Sequence, residues 1–170
     1  ASLDYFSIKV RDRITQSDPQ TLTAAEAAQL EAEGIAGASN LDTFRFFTNG
    51  FRTRTEGVDL VMSQPVDMLG GVTVMNFTGN WTKTKVEAYT KGILDDKRIR
   101  QLEEGLPAIR YNLAGTYLNG PWRNLLRLNS FGKFFEAHLD DDALPIEAGD
   151  EYTVDAETAY SFTNNLTLAV

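Results

Sequence analysis

The sequence contains no cysteine. That rules out a disulfide framework and any thiolate metal site, while the redox compartment stays open, since absence alone does not fix it. There is one histidine, His138, with no Cys or Ser partner to complete a nucleophilic triad. Positive charge is in short supply, with 16 Lys and Arg against 24 Asp and Glu and a net charge of −8. Phosphate backbones are held by basic surfaces, so nucleic acid is excluded as a partner. No apolar run approaches the ~18 residues of a membrane helix. A β-barrel is untouched by that absence, because alternating strands escape hydropathy scans. A Gly-rich phosphate loop, an internal repeat and a glycosidase-like carboxylate pair are also missing. An enzyme is therefore the weakest class, and no cofactor is implied.

What is present is alternation. With 170 residues the chain fits one domain with a real core. Strands are expected at residues 3–10, 44–62, 72–85, 110–118, 123–135 and 152–162. Tight turns are expected at 65–71, at Asn119-Gly120, the strongest short hairpin signal, and at Asn164-Asn165. The other connections are long. The first holds a capping box, Thr23-Ala24-Ala25-Glu26, a helix at 24–33 and a terminating Gly34. The second holds a short charged helical stretch at 97–104, and the third, 140–150, is acidic. Long strands joined alternately by tight turns and by loops beyond the usual hairpin range describe a transmembrane barrel better than a globular sandwich.

The two faces differ chemically. Between 152 and 162 one face carries Val154, Ala156, Thr158, Tyr160 and Phe162; the other carries Thr153, Asp155, Glu157, Ala159 and Ser161. Met75, Phe77 and Trp81 oppose Asn76, Thr78, Asn80 and Thr82, while Leu126, Leu128 and Phe134 oppose Arg127, Asn129 and Lys133. A lipid face backed by a wet lumen gives this pattern, and so does a sandwich with one wet face. Tyr117, Trp122, Tyr160 and Phe162 lie near the tight turns, where an interfacial aromatic girdle belongs.

"FFTNGFRTRTEGVDLVMSQPV" resembles the barrel segment of TonB-dependent outer-membrane receptors. "LDYFSIKVRDRI" is similar to the strand before it, "EEGLPAIRYNLAGTYLNGPW" and "RLNSFGKFFEAHLD" to those after it, and "AYSFTNNLTLAV" to the penultimate hairpin. The ordered set, more than any one piece, carries the resemblance. It implies an all-β antiparallel meander, part of a barrel of about 22 strands around a plug, with one short helix in a long extracellular loop. Residues 1–170 are expected to be a partial barrel: about six strands and the start of a seventh, with the plug and the final strands elsewhere in a longer receptor. The resemblance implies energised uptake of a scarce nutrient, such as a metal–siderophore, vitamin or oligosaccharide, across the bacterial outer membrane. The expected partners are that nutrient, TonB (engaged through a segment outside this chain) and outer-membrane lipid. The rival is a secreted, soluble β-sandwich that binds carbohydrate or protein.

Candidate ligand-contacting residues fall in the long loops: Asp95, Asp96, Lys97 and Arg98, then His138, Asp140, Asp141 and Asp142. The three aspartates, with Glu147, Asp150 and Glu151, could offer oxygen ligands to Ca²⁺, but no EF-hand spacing is present, and a solvated acidic loop explains them as well. Asn76-Phe-Thr, Asn80-Trp-Thr and Asn165-Leu-Thr fit a glycosylation sequon, yet on strands of a barrel they are ordinary Asn and Thr.

Overall fold

The computed structural model describes residues 1–137 and 144–170. In chain order its elements are β1 (Ser2–Gln16), β2 (Gln20–Thr21), α1 (Ala24–Ala32), a 3-10 turn (Ala38–Asn40), β3 (Thr43–Phe44), β4 (Phe47–Met68), β5 (Gly71–Ala88), α2 (Asp96–Glu104), β6 (Ile109–Asn119), β7 (Trp122–Phe131), β8 (Phe134–Glu136), β9 (Ile146–Ala148), β10 (Glu151–Thr163) and β11 (Leu166–Ala169). Seven strands form one antiparallel sheet in the order β1-β4-β5-β6-β7-β10-β11. The pairs β2-β3 and β8-β9 are small hairpin sheets within the long connections. No second sheet packs on the seven-stranded one among the described residues, so the sandwich reading fails.

Several expected boundaries move, each for a reason that lies in a partner strand. β1 does not stop at Val10. It continues through register shifts around Asp12, at φ +53, and pairs Thr15 with Thr48 and Gln16 with Phe47. The bulge absorbs the Arg-Asp-Arg stretch that reads locally as loop. Pro65 does not open a turn; it pairs with Val74 inside β4, and the turn is Leu69-Gly70, with φ +52 and +76. Pairing with β1 ends at Val61, so among the described residues β4 has a neighbour on one side only at Pro65, where a missing N–H is tolerated. β7 ends at Phe131 instead of running to Phe135. The Gly132 N–H donates to the Ile109 carbonyl at 2.8 Å, and a Cβ at Gly132 would stand 3.0 Å from that oxygen. Phe134 consequently leaves the sheet and pairs with Ala148.

The register places side chains on faces as the alternation predicts. Val154 lies opposite Leu128, Ala156 opposite Leu126 and Tyr160 opposite Trp122. Leu128 in turn faces Leu113, Leu113 faces Phe77, and Phe77 faces Met62. This apolar face is bounded by two aromatic rows. Near the tight turns, Tyr160 meets Trp122 and Phe162 edge-on, with ring centroids 4.7 and 4.8 Å apart. The Tyr117 hydroxyl there donates to the Leu69 carbonyl at 2.9 Å and ties one turn to its neighbour. The second row, not evident from the sequence, is Tyr5, Trp81, Tyr111 and Tyr152, joined through Val58, Ile109, Gly79 and Ser130 by the pairing. Tyr152 and Tyr160 are eight residues apart on β10, about 26 Å along a strand and about 20 Å in height at a tilt of roughly 40°, close to the apolar band of an outer-membrane barrel.

The opposite face is a hydrogen-bonded polar lattice. Asn80 Nδ2 donates to Asp59 Oδ1 at 2.6 Å, and Asn80 Oδ1 accepts from Arg110 and from Thr82, each at 3.0 Å. Asn112 Nδ2 donates to Asn129 Oδ1 at 2.5 Å; Asn129 Nδ2 donates to Thr153 at 3.0 Å and Asp155 at 3.2 Å. Arg123 pairs with Glu157 on the same face. Gly57 is required here by a close approach: its added Cβ would fall 2.4 Å from Phe6 Cζ and 2.6 Å from the Trp81 carbonyl oxygen.

Ala156 lies midway between the two aromatic rows on β10. With the sheet embedded in a bilayer, as the resemblance implies, Ala156→Arg is expected to cost about 2–4 kcal/mol, while Thr153→Arg on the polar face stays within about 1 kcal/mol. Denaturant unfolding in lipid checks both; equal costs would refute the face assignment.

Candidate ligand-facing loop cluster

All three long connections, residues 17–46, 89–108 and 132–150, leave the sheet at the end opposite the tight turns. The first is held at its stem, where the Ser17 N–H donates to the Phe46 carbonyl at 2.8 Å and Ser17 Oγ accepts from the Phe46 N–H at 3.1 Å. Its helix α1 forms where the capping box stands. Thr23 Oγ1 accepts from the Glu26 N–H at 3.3 Å, and the Glu26 carboxylate accepts from the Thr23 N–H at 2.9 Å. Gly34, at φ +98, closes it.

The second connection reaches all its neighbours. Asp95 caps α2 by accepting from the Arg98 N–H at 2.6 Å, and Asp96 adds a carboxylate to the first turn. The Asp18 carboxylate accepts from the Asp95 N–H, and the Ile93 carbonyl accepts from the Asp18 N–H at 2.9 Å. Arg98 donates to Thr15 Oγ1 at 3.0 Å and to Gln101 Oε1. Farther along, Gln101 Nε2 donates to Glu136 at 2.6 Å, Glu103 accepts from the Val86 N–H at 2.8 Å, and Arg100 bridges Glu104 and Glu147, both at 2.8 Å. Hydrogen bonds to Glu104 and then Glu147 raise the Arg100 pKa above its ordinary value. The Arg100 guanidinium also lies 4.1 Å from the Phe135 ring centroid. One nine-residue helix thus joins β1, β5 and the β8-β9 hairpin.

Of the eight candidate residues, the structure brings Asp95, Asp96, Lys97 and Arg98 together at the start of α2. Asp95 and Arg98 act there as cap and clasp. His138, Asp140, Asp141 and Asp142 lie outside the described residues. Two of the carboxylates considered as their metal-binding companions are engaged otherwise: Glu147 with Arg100, and Asp150 Oδ1 accepting from the Lys133 N–H at 3.0 Å. Asn80, one of the sequon positions, spends its amide on Asp59.

Sequence reasoning missed the recess that α2 creates. A cavity of about 310 Å³ opens between α2 and the strand ends, lined by Thr82, Thr84, Arg98, Gln101, Arg110 and Glu136 among others. The signal for it was divided between strands and loop, and only pairing brings Thr82 and Arg110 beneath the helix. Arg98 Nε is buried with no hydrogen-bond partner among the described residues.

A single antiparallel sheet with an apolar band between aromatic rows, a polar reverse face, tight turns at one end and interlocked loops at the other is the wall of a membrane β-barrel. The chain belongs to the TonB-dependent receptor β-barrel family: the family model described as "TonB dependent receptor-like, beta-barrel" matches residues 1–170. That family consists of outer-membrane receptors and transporters, which implies the bacterial outer membrane. No curated protein and no solved structure matches the chain.

Two outcomes follow for the loops. Arg98→Ala is expected to raise hydrogen exchange together in residues 15–18 and 89–108, leaving β6 and β7 protected; exchange confined to α2 would contradict the clasp. The Thr23 hydrogen bonds lower the Glu26 pKa below the usual carboxylate value in the folded loop. Its contribution is therefore full above the unfolded pKa and lost as pH falls through the lower folded value. Amide exchange in α1 should accelerate over that acidic window, and Glu26→Gln should remove the pH dependence.

Proposed function

We propose that this chain forms part of the wall and mouth of a receptor that takes up a scarce nutrient by energised transport, with TonB engaged through a segment outside these residues. The observation that carries the reading is α2, which ties three long loops into one assembly above a polar inner face. A loop cluster held this way keeps hydrogen-bonding groups fixed at the barrel mouth, so less ordering cost falls on ligand binding. The lining of the recess mixes Arg, Gln, Glu and Thr. It suits a polar ligand with both donors and acceptors, such as a vitamin, a metal–siderophore or an oligosaccharide. Asp95, Asp96, Lys97 and Arg98 stand on the side from which such a ligand arrives, and His138, Asp140, Asp141 and Asp142 are proposed as further ligand contacts from the sequence alone. The function is transport without catalysis by this wall.

The seven strands supply only part of a closed barrel. Among the described residues, β1 and β11 each have a neighbour on one side alone. In lipid an unpaired strand edge costs several kcal/mol for each backbone group. Further barrel strands on both sides, and a plug within, are therefore part of the proposal.

The test is uptake by cells carrying the intact receptor. Radiolabelled nutrient should accumulate only when TonB and the proton gradient are present, and Arg110→Ala should raise the half-saturating concentration. Uptake that survives loss of TonB would overturn the reading. The isolated 170-residue chain should bind none of the three nutrient classes measurably, since most ligand surface is assigned to other parts of the receptor; a micromolar affinity would contradict that assignment.

A further inference from the structure

One aromatic side chain breaks the division of the faces. Phe131 ends β7 on the polar face, in a row that runs Asp59, Asn80, Arg110, Phe131 and Glu151 across adjacent strands. Its height is that of the upper aromatic row, but it points the opposite way, because Ser130, the residue before it, is the one that pairs with Tyr111 and Tyr152. The ring is 43% exposed. Ladders on both sides and the Gly132–Ile109 hydrogen bond just beyond it fix the backbone that carries it. A phenyl held rigid in water offers a flat apolar surface at little ordering cost.

The ring borders an open trough of about 440 Å³, whose polar side is formed by Asp59, Asn80, Arg110, Asn112 and Asn129. Arg110 also lines the recess beneath α2, so the two hollows adjoin. Charge in them is nearly balanced. Arg110 stands against Asp59 in the trough, and Arg98 and Arg110 against Glu103 and Glu136 in the recess. All three carboxylates already accept a protein N–H: Asp59 from Asn80, Glu103 from Val86 and Glu136 from Gln101. The Arg110 guanidinium has no ion pair among the described residues and donates once, to Asn80 Oδ1 at 3.0 Å. Its other N–H groups, and the second N–H of the Asn80 and Asn112 amides, are left to give. The hollows thus hold planar groups that donate and accept, beside one phenyl, with no excess charge to attract an anion.

We propose that this trough and the adjoining recess bind a neutral oligosaccharide, with one sugar ring laid on Phe131 and its hydroxyls bonded to Arg110 and the neighbouring amides. The inference rests on the transport reading above and narrows its nutrient to one class. A sugar ring has a face of C–H groups and a rim of hydroxyls. The face fits a phenyl; the rim fits guanidinium and amide groups, which give and take hydrogen bonds in a plane. A ligand with net negative charge would meet three carboxylates against two guanidiniums, and a cationic one would have to displace the hydrogen bonds those carboxylates already accept. Buried polar groups left unpaired by a ligand without hydroxyls would weaken its binding.

The experiment applies the intact receptor, purified in detergent, to an array of neutral, uronic-acid and sulfated oligosaccharides, and measures uptake of the retained sugars, of cobalamin and of a ferric hydroxamate by cells. Neutral oligosaccharides should be retained. Phe131→Ala should weaken their binding about tenfold, Phe131→Trp should keep it, and Phe131→Leu should lose it while melting with the parent, which separates stacking from packing. Retention of charged sugars alone, unchanged binding by Phe131→Ala, or a leucine variant as good as tryptophan would overturn the proposal. TonB-dependent uptake of cobalamin or the ferric hydroxamate, with no sugar retained, would overturn it too and leave the transport reading standing. Sugar that binds through Phe131 yet enters cells without TonB would support the site and overturn the transport reading instead.

Discussion

Everything in this structure answers one constraint: backbone N–H and C=O groups in hydrocarbon must find partners within the protein. A long antiparallel ladder meets it continuously. β4 pairs with β5 from Arg52–Ala88 down to Met68–Gly71 with a single register shift near the top. The side chains are then free to divide by face, one facing lipid and the other water. Short turns follow as well, because at the tight end Leu69-Gly70 and Gly120-Pro121 return the chain with little backbone left to satisfy. At the other end, where water is available, the connections lengthen and irregular backbone becomes tolerable.

The polar face has its own logic. Asn, Thr, Arg and Asp there bond mostly across strands, as in Asp59–Asn80–Arg110 and Asn112–Asn129–Asp155. Each such pair stiffens the wall between neighbouring strands and holds the register that sets the outward face. A slip of one residue would turn every apolar side chain into the lumen. The lattice and the outward apolar band thus guard the same alignment from opposite sides of one sheet.

Much of this was legible in the residues, and the limits of that legibility are physical. The alternation at Val154, Ala156 and Tyr160 appears in the structure unaltered because a period of two is a local property. The capping box at Thr23 and Glu26 is local too, and so is the start of α2. Features decided by a distant partner were not legible. Asp12 becomes a bulge because β4 continues beside it, Pro65 remains in a strand because Val74 pairs with it, and Phe134 departs because Gly132 meets Ile109. The upper aromatic row escaped for the same reason: it is spread over several strands whose residues lie tens of positions apart. In the loops, Asp95 and Arg98 read as candidate ligand contacts, yet their partners Asp18, Thr15 and Gln101 make them joints of the assembly.

The length of β4 has a consequence for how solutes meet the receptor. From Val58, level with the upper aromatic row, the strand continues eleven residues to Phe47. That is about 36 Å along the strand, or about 25 Å of height at a tilt near 45°. The Debye length in physiological salt is about 8 Å. With about 5–8 Å of headgroup layer above that row, the top of the wall stands roughly two screening lengths above the lipid charges. A charged solute approaching there is nearly blind to the charge of the lipid beneath it, and the charges on the loops alone set the field it encounters.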